Sequence, residues 1–162
     1  MIILITFIIL IFICLIVSFI SYTIFQEYII RINEAEIEID SMLRKKYDLL
    51  NNSNDIIKNF INNNNFDLLN EIRNQKLNNF EFNLKMHNSL YEYKKQKKDN
   101  DDLMKNDDFI KIDVAINEVE AELIASRNYY NDVINKYNNL LSLFPCSLIA
   151  KIFKYQLKEI FQ

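Results

Sequence analysis

The chain of 162 residues contains no glycine and a single proline. Phosphate-binding loops, dinucleotide-binding fingerprints, EF-hand turns and most tight β-hairpins require glycine where the backbone becomes left-handed or meets a ligand. None of these motifs can therefore be present in standard form. Since glycine weakens helices and proline breaks them, a sequence nearly free of both is well suited to helix.

Cysteine and histidine are also scarce. The two cysteines, Cys14 and Cys146, lie far apart, the first in an apolar amino-terminal segment, so we expect no disulfide framework. Together with the single histidine, His87, they cannot make a conventional zinc site. Without a metal set, a cofactor loop or a nucleophile motif, we expect no catalytic residues, no cofactor and no metal.

The net charge of −3 comes from 19 basic and 22 acidic side chains that are mixed along the chain. This balance provides no basic footprint for nucleic acid. One dense basic run falls where a helix should end, so we expect it to face the negative helix pole rather than nucleic acid or lipid. It consists of Lys94, Lys95, Lys97 and Lys98. We therefore expect no nucleic-acid partner and see no sign of a small-molecule substrate.

Residues 1–26 contain no charged side chain and are almost entirely apolar. About 20 residues at about 1.5 Å each span the roughly 30 Å hydrocarbon core of a bilayer, where a helix satisfies its own backbone. A cleaved signal peptide would need a basic start, a shorter apolar stretch and a small-residue cleavage site. A core helix would need more surrounding chain. The segment predicts a single-pass transmembrane anchor at residues 1–26, with the lipid bilayer as a partner.

The basic residues nearest this anchor all follow it. They are Arg31, Arg44, Lys45 and Lys46. Because lysine and arginine bias their flank towards the cytoplasm, we predict a cell-membrane protein with its amino end outside. The remaining domain, residues 27–162, would then be cytoplasmic.

The clearest helical pattern lies near the carboxyl end, where seam positions recur in alternating steps of three and four. Such spacing predicts a long helix with a coiled-coil-like seam. Ile110, Ile124 and Leu141 widen the apolar stripe, as packing in a bundle requires, and Asn106 is a suitable cap at the start. The seam positions are Phe109, Ile112, Ile116, Val119, Leu123, Ser126, Tyr130, Val133, Tyr137, Leu140 and Phe144.

A second stripe begins in the anchor, which predicts one long helix that continues into the domain, with Lys46 and Ser53 as polar interruptions. Its positions are Phe25, Tyr28, Ile32, Ala35, Ile39, Met42, Leu49, Ile56 and Phe60. A looser middle helix should lie between connections at residues 62–65 and 98–102, with His87 partly buried. Its stripe is Phe66, Leu69, Leu77, Phe80, Leu84, His87 and Tyr91.

Pro145 cannot continue a helix but suits the first turn of a new one. A short terminal helix with a broad apolar face should follow, formed by Leu148, Ile149, Ile152, Phe153, Leu157 and Ile160. That face could lie on lipid headgroups or fold back on the bundle, and folding back is favoured. The predicted fold is all-α: a transmembrane helix, then an antiparallel bundle of three long helices and a short carboxyl-terminal helix.

The stretch LIASRNYYNDVINKYNNLLSLFPCSLIAKIF, residues 123–153, closely resembles the carboxyl-terminal signature of LemA family proteins. Three earlier segments resemble the same family in order: IDSMLRKKYDLL, LLNEIRNQK and DDLMKNDDF. One departure is Asn51, which stands where the family usually has proline. The resemblance implies a bacterial, single-pass membrane protein with an antiparallel helical bundle. It implies no reaction, because the family has no established catalytic activity or cofactor.

Eight residues of that signature are the candidate site. The two seam tyrosines should be core residues with hydrogen-bonded hydroxyls. The arginine, asparagines and aspartate on other faces should form a polar network to the neighbouring helix or last turn, or else a recognition surface. The final two should end the helix and redirect the chain. The set is Arg127, Tyr130, Asn131, Asp132, Tyr137, Asn138, Phe144 and Pro145.

These observations favour a non-catalytic, membrane-tethered interaction or scaffold protein, because tethering concentrates a module near its membrane partners. The long stripes suit contacts with a protein partner or with further copies of the chain. The alternative is a membrane-linked signalling or envelope-stress component, in which Lys46 and Ser53 are weak points of a relaying helix. An enzyme has no supporting motif.

Overall fold

A computed structural model describes residues 1–62, 67–73 and 79–161, and this part of the chain is helical without any strand. The all-α class predicted from composition is therefore confirmed. The elements are α1 (Ile2–Phe60), α2 (Asn70–Arg73), α3 (Asn79–Asp99), a 3₁₀ helix (Asp101–Lys105), α4 (Asp107–Ser142) and α5 (Cys146–Phe153).

Helix α1 runs without interruption from the apolar amino-terminal segment to Phe60, which confirms the predicted single long helix. Its amino-terminal part is long and apolar enough to cross a membrane, and none of the other described residues bury it. These properties are compatible with a membrane anchor.

The helix ends follow the capping chemistry of their residues. α1 ends at Phe60, and Asn62 then takes a left-handed conformation with φ of 51°. The predicted connection thus begins where expected, while its residues 63–65 lie outside the described part of the chain. At the start of α4, Oδ1 of Asn106 accepts hydrogen bonds from the backbone N–H groups of Asp108 and Phe109, at 3.0 and 2.9 Å. The predicted cap is confirmed.

The chain divides into two compact units. The first unit combines residues 1–38 with 126–162, and the second unit comprises residues 39–125. In the second unit, one cluster of buried side chains joins all its elements, and Oδ1 of Asn54 accepts a hydrogen bond from the backbone of Leu68 at 2.8 Å. The cluster consists of Leu50, Ile57, Leu68, Leu69, Ile72, Met86, Leu90, Tyr93, Leu103, Phe109 and Ile116.

The seam predicted for α4 is buried along nearly its whole length. Buried positions are Phe109, Ile116, Val119, Leu123, Ser126, Tyr130, Val133 and Tyr137. Two predictions at its margins are wrong. Phe144 is 81% exposed because α4 ends at Ser142 and its register does not continue, and Ile124 on the flank is 59% exposed.

The stripe predicted for α1 is buried in its first half, at Phe25, Ile32, Ala35 and Ile39, and at both of its polar interruptions. Further along, Met42, Leu49 and Ile56 are only partly buried and Phe60 is 43% exposed, because Leu43, Leu50 and Ile57 take the buried face. Lys46 and Ser53 are almost fully inaccessible to solvent. Nζ of Lys46 lies 2.6 Å from Oε1 of Glu120 on α4, and Oγ of Ser53 donates to the carbonyl oxygen of Leu50 at 2.8 Å. Each polar group therefore enters the seam with a partner.

The stripe predicted for the middle helix is wrong within α3, although its earlier member Leu69 is buried as predicted. Leu84, His87 and Tyr91 are exposed, while the buried positions of α3 are Met86, Ser89, Leu90 and Tyr93. The buried positions lie two residues beyond the predicted ones. Because each residue turns a helix by about 100°, this offset places the buried face opposite to the predicted face. Phe66 and Leu77 lie outside the described residues.

The terminal helix is shorter than predicted. α5 ends at Phe153, so Leu157 and Ile160 are not part of it. Lys154 takes a left-handed conformation, and the backbone N–H of Tyr155 returns to the carbonyl oxygen of Ala150 at 2.9 Å. This Schellman-type ending turns the chain out of the helix, and residues 155–161, here called the tail, are not helical.

Candidate functional site

The tail lies along the face of α4 that carries two asparagines of the signature, within the first unit. Asn138 donates from Nδ2 to the carbonyl oxygen of Lys158 at 2.8 Å, and its Oδ1 accepts the backbone N–H of Lys158 at 3.0 Å. Asn131 contacts Phe161 in the same way, at 3.0 and 2.7 Å. Each side-chain amide thus pairs with both polar groups of one tail residue. We call this pair of asparagines the tail clamp.

The spacing of the clamp matches the spacing of the main chain that it holds. Asn131 and Asn138 are seven residues apart on a helix, which at about 1.5 Å per residue separates them by about 10 Å. Lys158 and Phe161 are three residues apart, and three residues of extended chain at about 3.3 Å each also cover about 10 Å. Two asparagines one heptad apart can therefore grip every third residue of an extended segment.

Tyr130 precedes Asn131 on α4 and contacts both α1 and the tail. Its hydroxyl oxygen is 3.3 Å from Oε1 of Glu36 and 3.5 Å from the carbonyl oxygen of Glu159. Burial, the nearby Glu36 charge and the hydrogen bond to it raise the pKa of Tyr130 to about 12. The phenol therefore stays protonated at neutral pH and acts as a hydrogen-bond donor rather than a base.

Phe161 closes the site with an aromatic ring. The Tyr130 ring meets it edge-on at 6.2 Å between centroids, and the guanidinium carbon of Arg127 lies 4.9 Å from its centroid. That distance is within the range of a cation–π contact. The end of the tail is thus held by its side chain as well as by its backbone.

A cluster of aromatic side chains holds the start of the tail. The Phe25 ring on α1 lies 5.9 Å from Tyr137 and 4.8 Å from Tyr155. Nε2 of Gln26 donates to the Tyr155 hydroxyl at 2.8 Å. Burial, with a smaller contribution from Tyr155, raises the pKa of Tyr137. Tyr137 is therefore a buried core residue at this end of the site.

The structure brings four of the eight signature residues together around the tail: Arg127, Tyr130, Asn131 and Asn138. Tyr137 lies in the aromatic cluster at the start of the tail, and the other three lie elsewhere. Asp132 is exposed and pairs with Lys136 on the next turn at 2.6 Å, Phe144 faces solvent, and Pro145 precedes the first residue of α5. The polar network expected from the sequence is formed with the tail. This partner was not predicted, because residues 148–160 were expected to form one helix, whereas α5 ends at Phe153.

A second polar cluster lies in the second unit. The buried carboxylate of Asp113 accepts a hydrogen bond from the Tyr93 hydroxyl at 3.0 Å and pairs with Nζ of Lys97 at 2.6 Å. Burial, the Asp113 charge and this hydrogen bond raise the pKa of Tyr93. Asp113 is exposed by only 7%, so these contacts serve to neutralise a charge that has entered the core.

A surface cavity of about 390 Å³ also lies in the second unit. It is lined by Asp67, Leu68, Asn70, Asn88, Ser89, Tyr91 and Glu92. Across the described part of the chain, no three histidine, cysteine, aspartate or glutamate side chains are placed to hold a metal ion. The tail clamp therefore remains the site with the most specific geometry.

Comparison with known proteins identifies one family. The model of the LemA family matches residues 35–162, which include α4, α5 and the tail clamp. No curated protein and no solved structure shows a significant match.

Proposed function

Because this chain belongs to the LemA family, we propose that it is a membrane-anchored, non-catalytic helical interaction or scaffold protein. The observation that carries the proposal is the use made of the signature side chains. The side-chain amides of Asn131 and Asn138 form hydrogen bonds with the main chain of the tail, and the Tyr130 hydroxyl is protonated and acts as a donor. Side chains committed in this way support a binding and assembly role rather than acid–base work.

We further infer that α1 and α4 pair in an antiparallel bundle. Within the first unit, Phe25 contacts Tyr137 and Glu38 accepts a hydrogen bond from Ser126. As the residue number rises along α1, the number of its partner falls along α4. The pairs Lys45–Glu122 and Lys46–Glu120 follow the same trend within the second unit. Antiparallel pairing buries both long stripes and would leave polar faces for other contacts.

Photo-crosslinking in native membranes tests the interaction role. A photoreactive amino acid replaces Val114 or Ile124, two exposed apolar positions on α4, in the full-length chain. We expect discrete adducts larger than the monomer, either with one protein partner or with a second copy. A matched probe at Phe12 in the apolar segment should label lipid. Recovery of monomer alone from both α4 positions would contradict a scaffold role.

We propose that residues 27–162 lie in the cytoplasm and that the amino end lies outside. Arg31 and Arg44 follow the apolar segment and are exposed, which supports this orientation because basic flanks stay on the cytoplasmic side. Protease added to intact cells should leave the domain uncut, and the same protease should digest it after permeabilisation. Digestion in intact cells would reverse the orientation.

A membrane-linked signalling or envelope-stress component is the second candidate. It is favoured by the buried pairing of Lys46 on α1 with Glu120 on α4, because a buried ion pair is sensitive to small displacements of one helix along another. Replacement of Lys46 and Ser53 by leucine should freeze such a relay. An unchanged envelope-stress response in cells carrying that double variant would discard this candidate.

A further inference from the structure

Helix α5 packs against α1 where the uncharged segment ends. The rings of Tyr22 and Phe153 lie 5.0 Å apart, and just beyond α5 Tyr155 accepts a hydrogen bond from Gln26. Glu27 is the first charged residue of the chain. Tyr22 precedes it by five residues, or about 7.5 Å along the helix axis. If the uncharged segment spans a bilayer, these contacts set α5 at the level where hydrocarbon gives way to headgroups.

The outer face of α5 is apolar although its inner face is already filled. Cys146, Ile149 and Ala150 are buried, whereas Leu148 and Ile152, one turn apart, are 53% and 71% exposed. The apolar surface continues on both sides of the helix. Its other exposed members are Leu143, Phe144, Phe153 and Leu157. An exposed patch of this kind marks an interaction surface on a protein of this size.

Basic side chains border this apolar patch. Lys151 lies on α5 and Lys154 at its end, and both are exposed. A helix with one apolar face and lysines at its margin is the pattern of segments that lie in the plane of a membrane interface. Lysines there also attract the anionic headgroups of the cytoplasmic leaflet.

We propose that α5 and its flanking residues dip their outer face into the membrane interface, so that the partner of this surface is lipid. The inference rests on the proposed anchoring of α1, and it adds a second attachment point. Three observations favour lipid over protein: contact with Tyr22 near the end of the uncharged segment, an exposed apolar outer face, and lysines at the margin of that face. Lipid would cover apolar side chains such as Leu148 and Ile152, which are exposed on the outer face of α5.

Tryptophan fluorescence tests this inference, because the chain contains no tryptophan of its own. Ile152→Trp is made in the full-length protein, at an exposed position that tolerates a larger ring, and the protein is reconstituted in vesicles of phosphatidylcholine and phosphatidylglycerol. Lipids brominated near the headgroup should quench roughly half of its emission, because an interfacial helix inserts only about 5–10 Å. Lipids brominated deep in the acyl chain should quench it less.

Two matched variants separate the possible failures. Phe12→Trp reports the anchor and should be quenched most by deeply brominated lipid, whereas Ile124→Trp on α4 should not be quenched. Absence of quenching at Phe12→Trp would refute the anchoring itself. Quenching at Phe12→Trp without quenching at Ile152→Trp would overturn the interfacial helix and leave the anchor intact. A blue-shifted but unquenched Ile152→Trp would show that protein covers the face, which also overturns the proposal.

Discussion

The amides of Asn131 and Asn138 do for the tail what a neighbouring strand does in a sheet. An extended segment has backbone donors and acceptors that need partners. The described part of the chain contains no β-strand that could supply them. Asparagine carries one acceptor and one amide donor group on a short, branched side chain. Paired bidentate contacts therefore hold an extended tail on a helix surface.

The first prediction concerns Asn138. Replacement by leucine keeps the approximate size of the side chain but removes both hydrogen bonds to Lys158. Each bond has a net value of about 0.5–1.5 kcal/mol, so the tail should lose about 1–3 kcal/mol of local stability. Amide hydrogen exchange at Lys158 should accelerate by about tenfold or more.

Asp132→Asn is the control for that experiment. Asp132 points to solvent on the same helix and pairs with Lys136, so its substitution should leave exchange at Lys158 unchanged. If Asn138→Leu also left exchange at Lys158 at its wild-type rate, the clamp would have no energetic role.

The second prediction concerns Tyr130 and pH. Its pKa is raised to about 12 in the folded protein, against about 10 in an unfolded chain. A raised pKa means that the hydroxyl stabilises the fold fully below about pH 10, and that this stabilisation disappears as pH rises through 12. The stability of the wild type relative to Tyr130→Phe should therefore decrease as the pH rises from about 10 to about 12.

Thermal unfolding followed by circular dichroism at a series of pH values measures that difference. Tyr93 also has a raised pKa but is present in both proteins, so its titration cancels in the comparison. A stability difference that stays constant from pH 8 to 12 would show that Tyr130 does not titrate in this way.

Among the elements, α1 and α4 are joined by two neighbouring ion pairs of very different burial. Lys46 and Glu120 are 5% and 25% exposed, with 2.6 Å between their charged atoms. Lys45 and Glu122 are both about half exposed, at 3.8 Å. Solvent screens the second pair and leaves it nearly without value, whereas removal of one partner from a buried pair leaves an uncompensated charge.

The third prediction follows from this contrast. Lys46→Leu should lower the free energy of unfolding by about 3 kcal/mol, because Glu120 keeps its charge without Lys46. Lys45→Leu should change it by less than about 1 kcal/mol. The double variant Lys46→Leu with Glu120→Leu should recover most of the loss. Denaturant titration measures all three, and equal effects of the two single variants would contradict the importance of burial.

For the whole molecule, the division into two compact units has a measurable consequence. The tail contacts lie in the first unit, and the large apolar cluster lies in the second. The fourth prediction is that a chain ending at Phe153 loses exchange protection in residues 27–38 and 126–142. Protection of the second-unit core, including Met86 and Leu90, should persist.

Hydrogen exchange with mass spectrometry distinguishes the two units in that truncated chain. The control is Leu157→Ala, an exposed tail side chain whose loss leaves the backbone contacts of the tail in place. Equal loss of protection in both units of the truncated chain would show that they unfold as one body.

Local residue chemistry was sufficient to predict most of the helices. The absence of glycine, the cap at Asn106 and the regular seam of α4 act over one or two turns, so they can be read in order along the chain. The buried face of α3 was predicted wrongly for the complementary reason. Leu84, His87 and Tyr91 follow a helical spacing as regular as that of the buried Met86, Leu90 and Tyr93, so only packing against other elements decides which face is buried.

The linear order of residues is enough to specify an all-α chain with a long uncharged segment and a seam that buries Tyr130 and Tyr137. Helix periodicity and hydrophobicity are local properties, and both are visible in one dimension. The position of the tail is not, because Asn131 meets Phe161 across 30 residues of chain. Whether an asparagine amide binds water or a distant backbone depends on how the helices and the tail pack in three dimensions. The order of neighbouring residues along the chain does not specify that packing.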